Sequence, residues 1–318
     1  SIYTHDVSGT DDTATANTAF GITAMDAITT GDNNTAVGNS ALGANTTGER
    51  LTAVGTSALA TNTTAIRNTA IGYQALTANT TGAQNTAVGD ISMYNNTTGA
   101  DNTAIGGSAL GANTTGSNNT AVGRLSLTTN STGDANTAIG KDCLDSNTTG
   151  ARNTAIGVDA LQANTTTNDN TAVGYEALTL NTAANNTAVG KGAMAANTTG
   201  ADNVAVGQLA LSANTTAVKN TAVGKAAMEL NTTGAENTAL GYSALYANTT
   251  GANNSAVGRS ALGANTTGAE NVGIGYYALV SNTTGNYNTA IGKNTMAFNT
   301  TGGENTAVGR EALDANTT

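Results

Sequence analysis

Side chains able to do chemistry are few in this chain, and their spacing argues against most of it. His5 is the one histidine and lies in an unpatterned N-terminal stretch. A Ser-His-Asp or Cys-His relay needs an imidazole held beside its nucleophile, so catalysis of that kind has no convincing base. Cys143, the one cysteine, cannot close an internal disulfide and stands where most copies of a repeat carry Ala, which reads as a small packed side chain. Gly273-Ile274-Gly275-Tyr276-Tyr277-Ala278 imitates part of a dinucleotide fingerprint. That motif works by aiming a helix N-terminus at a pyrophosphate, and no helical pattern follows it. Carboxylates such as Asp32, Asp101, Glu236 and Glu270 sit in variable positions, without the recurrence a calcium-binding β-roll requires. The expectation is no catalytic residue, no metal, no cofactor and no enzyme.

One modification motif does recur. An Asn followed by Thr-Thr forms the N-glycosylation acceptor N-x-[ST] at Asn45, Asn62, Asn79, Asn96, Asn113, Asn147, Asn164, Asn197, Asn214, Asn231, Asn248, Asn265, Asn282 and Asn299. A glycan on every copy would crowd its neighbours if successive copies lie about 4.8 Å apart. The same column also has a structural reading, in which stacked amides bond to their equivalents above and below.

The elements that position these residues follow from a fixed period. The Gly ending each N-T-A-V-G string recurs from Gly21 to Gly309 at a step of 17 residues, with one step of 16 between Gly174 and Gly190, making 18 copies of N-T-A-V-G-x-x-A-L-x-A-N-T-T-G-A-x. A short fixed period of this kind indicates a solenoid whose repeats pack on their neighbours. The residue before the Gly is Val or Ile in 16 copies, which favours a pleated strand. Seventeen residues holding two Gly and an Asn-Thr-Thr turn are too short for two helices. They suit an all-β parallel solenoid, or β-roll, of about 18 coils with two or three short strands each. Residues 1–16 do not fit the repeat and read as a cap or docking segment, with the solenoid over 17–318. The missing residue falls near Asn181-Thr182-Ala183-Ala184, in the turn.

Column chemistry sets further expectations. The second apolar string keeps Leu or Met in all 18 copies, with every Met of the chain among them, as a packed layer would. Adjacent Ala columns, if on strands, point to the opposite face. Narrow Ala faces then suggest close approach of another copy of the chain, most economically around a threefold axis. The two residues after each Gly vary freely and gather most Tyr and basic residues, so they form an outward edge where Tyr73, Tyr175, Tyr242, Tyr276 and Tyr277 can meet sugars or surfaces.

Composition bounds the partners. Eleven basic against 21 acidic residues, a net charge of -10, argues against nucleic acid or an anionic membrane as main partner. Apolar runs stay far below the roughly 20 residues of a membrane span, so no membrane insertion is expected. With 39 Gly and no Pro, collagen is excluded. Ser1 in place of an initiator Met reads as a processed chain or a piece of a longer one. An end that stops mid-repeat at Thr318 suggests head-to-tail growth into a filament.

The string N-T-A-V-G-x-x-A-L-x-x-N-T-T-G over 17–318 resembles the tandem repeats of large bacterial and viral surface fibres and tail-fibre-like proteins. It is similar more loosely to the head repeats of trimeric autotransporter adhesins, which carry shorter S-V-A-I-G motifs. The resemblance implies a parallel β-roll, a homotrimer, and a place outside the cell or virion. The function expected is a non-catalytic structural fibre or shaft, an extracellular appendage or adhesin-like filament. The alternative is a ligand- or surface-binding solenoid that holds surface glycans. Ice binding fits less well, because Thr46 and Thr47 are adjacent and would point oppositely.

Overall fold

Each repeat closes one coil, and each coil contributes a single three-residue strand, Thr-Ala-Val or a close variant of it. The computed structural model describes residues 13–317, which divide into two compact units, one up to Val158 and one from Asp159. The first unit runs from β1 (Thr18–Phe20) through β2 (Thr35–Val37) and β3 (Thr52–Val54) to β9 (Thr154–Ile156). Every strand in it pairs in parallel with the next, residue on equivalent residue, as Ala36 on Ala53. The second unit repeats this from β10 (Thr171–Val173) and β11 (Thr187–Val189) to β18 (Thr306–Val308). The fold is an all-β parallel solenoid with a 17-residue repeat, as the period predicts. Among the described residues, no helix is long and apolar enough to cross a membrane.

Of the N-terminal segment 1–16, residues 1–12 with His5 lie outside the described residues. Thr15 is already in coil register. Its carbonyl accepts from the Asn33 amide at 3.1 Å, one coil on, and Ala16 repeats the left-handed φ of Asn33.

Only one strand forms per coil, fewer than the two or three expected, because the second apolar string is a run of turns. Within it Ser40 and Leu42 hold φ of 56° and 52°, and the same two positions are left-handed in nearly every coil. Alternating the backbone sign cancels the alternation of a strand. Adjacent Ala41 and Leu42 therefore both point inward, each fully buried. Both Ala columns are enclosed in the coil's own interior, the Ala41 column through this turn geometry and the Ala36 column as the inward residue of the strand, so neither is the surface where a second copy would meet the chain. In the strand, Ala36 is buried while the residues on either side, Thr35 and Val37, point outward and are half-exposed.

The Gly after the strand is dictated by its conformation. Gly106 has a φ of 137°, and a Cβ there would lie 2.5 Å from the Gly123 carbonyl oxygen of the next coil. The chain turns sharply at this point because no side chain stands between the coils.

Much of the core is amide. An Asn opens every strand but β3, where Leu51 stands, and every turn but the first, where Ile28 stands; away from the end coils these Asn are buried, and within a coil both send their Nδ2 to one carbonyl. Asn34 donates to Gly48 at 2.9 Å and Asn45 to the same oxygen at 3.0 Å, which closes the coil. Between coils the turn amides form a ladder, Asn62 donating to Asn45 Oδ1 at 2.9 Å and Asn79 to Asn62 Oδ1 at 3.1 Å. The strand Asn instead accepts a backbone amide through its Oδ1, as from Asn85 N to Asn68 at 2.8 Å. Burying polar groups costs free energy unless they are bonded, and among the described residues no buried side-chain nitrogen or oxygen lacks a partner.

The 16-residue step is absorbed in the turn. Asn181 donates to the carbonyl two residues on, Ala183 at 2.7 Å, where the other turns reach three residues. Strand register is untouched, with Thr171 on Thr187. The turn still bonds to the next coil, Thr182 N donating to the Thr198 carbonyl at 2.8 Å, so the loss is absorbed without breaking the stack.

Candidate functional site

The chemistry-bearing residues singled out from the sequence do not converge. Cys143 is fully buried in the Ala column and its Sγ lies 3.0 Å from the Gly140 carbonyl oxygen. Ser92 and Ser126, at the same repeat position, bond their own glycine carbonyls at 3.1 and 2.9 Å. These are small side chains packed in the core. Gly273 lies inside β16 (Val272–Ile274), with no helix after it. Among the described residues, no three His, Cys, Asp or Glu side chains gather in a way that could hold a metal ion.

The fourteen acceptor asparagines are all fully buried. Through most of the column both N–H groups of the amide are engaged, as in Asn113, which donates to Asn96 Oδ1 at 2.7 Å and to the Gly116 carbonyl at 2.9 Å. A sugar on that nitrogen would remove at least one of these bonds and has no path out of the coil. The following Thr is committed as well, Thr46 Oγ1 donating to the Thr63 carbonyl at 3.1 Å and Thr97 to Thr114 at 3.0 Å. When the chain is made in a glycosylating host, the folded, protease-resistant fraction should carry no glycan on these asparagines. Intact mass before and after treatment with an amide-cleaving glycosidase reads this directly.

What the coil does display is set by the position just after the Gly that ends the strand. The extended, positive-φ glycine throws the next side chain outward, and that column holds Arg124, Lys141, Lys191, Lys225, Arg259, Lys293 and Arg310, seven of the 11 basic residues. The other four, Arg50, Arg67, Arg152 and Lys219, share the position before the residue that opens the strand, Leu51 after Arg50 and Asn after the other three. In the second unit the first column also holds Tyr175, Tyr242 and Tyr276, all exposed, and no acid.

Cations and rings in this column face one another. Arg259 stands 5.6 Å from the Tyr242 ring centroid and 5.8 Å from that of Tyr276, Lys293 5.8 Å from Tyr276, and Lys191 5.7 Å from Tyr175. Each distance is within cation–π range. Tyr276 and Tyr277 approach to 4.2 Å between centroids at 52°. Beside the column an open groove of about 500 Å³ is lined by Tyr242, Tyr246 and Tyr277, with the small Ser243, Ser260 and Gly263 between them. Glu176 marks one end of the column, where its hydrogen bond and its charge raise the Tyr175 phenol above the ordinary value. Arg310 is paired with Glu311 at 3.0 Å at the other. Grouping of Tyr and basic residues after the Gly was visible in the sequence. The contacts between those cations and rings, as Arg259 on Tyr242 and Tyr276, emerge only when repeats are stacked coil on coil.

By fold this is a tandem-repeat parallel β-solenoid. No protein-family model and no curated protein matches the chain.

Proposed function

We propose that the chain is a non-catalytic structural element, a shaft of an extracellular fibre, that associates side by side with copies of itself. The observation that carries this reading is that, within each unit, successive coils pass nearly the same set of bonds from one to the next. Backbone amides bond coil to coil even outside the strands, as Ser40 N to the Ile22 carbonyl at 2.9 Å and Leu42 N to Ala58 at 3.0 Å. The turn and strand amides repeat that pattern in the interior. The polar groups of the repeat are spent on stacking, which leaves shape as the product. Repeat architectures of this type build extended surfaces by adding identical units.

Side-by-side association is supported by the outward face of the strands. Ile71, Ile105 and Ile139 are 40%, 42% and 40% exposed, in register with half-exposed Thr on the same face. A contiguous apolar stripe of this kind is what self-association surfaces present. The trimer implied by the resemblance would use this face, since the Ala columns are enclosed. Sedimentation of the full chain should show an oligomer. The variant with Val54, Ile71, Val88 and Ile105 all changed to Lys should sediment as a monomer with unchanged β-rich circular dichroism. A native chain that stays monomeric at every concentration would remove lateral assembly from the proposal.

A further inference from the structure

We propose that the basic and aromatic column of the second unit binds a linear acidic polysaccharide that carries one carboxylate on every second sugar. The inference goes beyond the structural role and does not rest on self-association.

From Lys191 to Lys293 the column alternates with a strict period, which ends at Arg310 in the next coil, a cation paired with Glu311. Lys191, Lys225, Arg259 and Lys293 are separated by 34 residues each, which is two coils of 17, and Gln208, Tyr242 and Tyr276 fill the coils between them. Parallel strands stack about 4.8 Å apart, so successive cations lie roughly 9.5 Å apart along the stack. That distance is close to the length of two pyranose rings in an extended chain. A polymer of alternating neutral and uronic sugars laid along the column would bring each carboxylate to a cation and each neutral ring to a Gln or Tyr. Tyr rings are suited to that second role, because they offer an apolar face and a hydroxyl at one edge.

Charge supports the same ligand. The chain as a whole carries -10, yet these four exposed cations form no ion pair among the described residues. Arg259 and Lys293 rest against Tyr rings, which leaves their donors available while limiting the side-chain freedom lost on binding. The groove of about 500 Å³ beside Tyr242 gives a ring or its substituents a place to sit, and Glu229 on its wall can accept sugar hydroxyls. A nucleic acid strand matches less well. It carries a phosphate about every 3.4 Å along a duplex strand, so most of its charges would find no partner on an acidic surface.

The test uses the full chain and hyaluronan fragments long enough to span the column, at low salt, with binding followed by calorimetry. Binding is expected, weakening as salt is raised, with no binding to a neutral dextran of the same length. Changing Lys191, Lys225, Arg259 and Lys293 together to Gln should weaken binding by roughly 10- to 100-fold, the sum of four exposed charge pairs. Changing Arg50, Arg67, Arg152 and Lys219 to Gln removes the same charge from the other column and should leave binding within about twofold. Circular dichroism and sedimentation of both variants should match the native chain. The proposal is overturned if hyaluronan does not bind, if both quadruple variants lose affinity equally, or if single-stranded oligothymidylate binds as tightly as hyaluronan.

Discussion

Asn113→Asp is expected to destabilise the first unit at neutral pH by about 2 to 5 kcal/mol, and to do so less as the pH falls toward 4. Asn113 gives two protons, to Asn96 Oδ1 and to the Gly116 carbonyl, and receives one from Asn130 Nδ2 at 2.9 Å. A carboxylate keeps the third bond and loses the first two. It then sets a buried negative oxygen against two acceptors. Gly116 retains one donor, Asn102 Nδ2 at 2.9 Å, so the coil stays closed at that point and the damage concentrates on the ladder. Burial among acceptors raises the folded-state pKa of the new acid above its unfolded value of about 3.9. Below that value both states are protonated and the acid again has a proton to donate. As pH rises past it, the unfolded chain ionises first and stability falls until the folded carboxyl ionises too. Denaturant melts at pH 4 and pH 7 check this, with Asn113→Ile as the comparison. Ile already occupies this turn position naturally at Ile28, 7% exposed, and its cost should not change between the two pH values. Equal loss by Asp at both pH values would refute a buried, acceptor-lined amide.

The largest single effect should come from Gly106→Ala. The substitution meets two separate penalties, a φ of 137° and a Cβ 2.5 Å from the Gly123 oxygen. The first costs of order 1 to 3 kcal/mol. The second cannot be relieved by a side-chain rotation, because the obstacle is backbone of the next coil, held there by its own ladder. Gly309 separates the two terms. It has a φ of 126°, but the nearest atom to its Cβ position is Ala312 Cβ at 3.9 Å, an ordinary contact. Gly309→Ala should therefore cost about 1 to 3 kcal/mol, and Gly106→Ala distinctly more. Because repeats couple only to their neighbours, the Gly106 lesion should also divide one melting transition of the first unit into two. Hydrogen exchange should show the new opening at the coils on either side of it. Equal losses at Gly106 and Gly309 would mean that the coils separate without cost.

Much of this was legible from residue types because the solenoid writes each structural position 18 times. The glycine column, the β-branched strand column and the Leu or Met layer each carry a physical signature that a single copy would state only weakly. The stacked turn amides were readable for the same reason, since a ladder needs Asn at an invariant step. The second apolar string was misread as a strand. Its path depends on left-handed φ at Ser40 and Leu42, and nothing in Ser or Leu favours that region. The interior of the coil imposes it, at a local cost offset by the bonds of the stack. That error turned the Ala41 column outward; the Ala36 column does sit in an alternating strand, but with Ala inside and Val37 outside, the reverse of the face assigned to it when a neighbouring chain was placed against the Ala columns. The acceptor motif misled in a related way: N-T-T matches a surface modification signal, while the amide it offers is the most enclosed polar group in the coil.

The turn that lost a residue has a consequence for how such chains change over generations. Since Asn181 closes on Ala183 and leaves Thr171 paired with Thr187, the coil above meets the coil below as if nothing were missing. The surface one coil offers to the next is nearly the same from coil to coil, Asn62 donating to Asn45 on one side and accepting from Asn79 on the other. Slippage of the coding sequence by whole repeats would then leave every interface intact, so the number of coils is open to rapid adjustment by recombination without any compensating substitution.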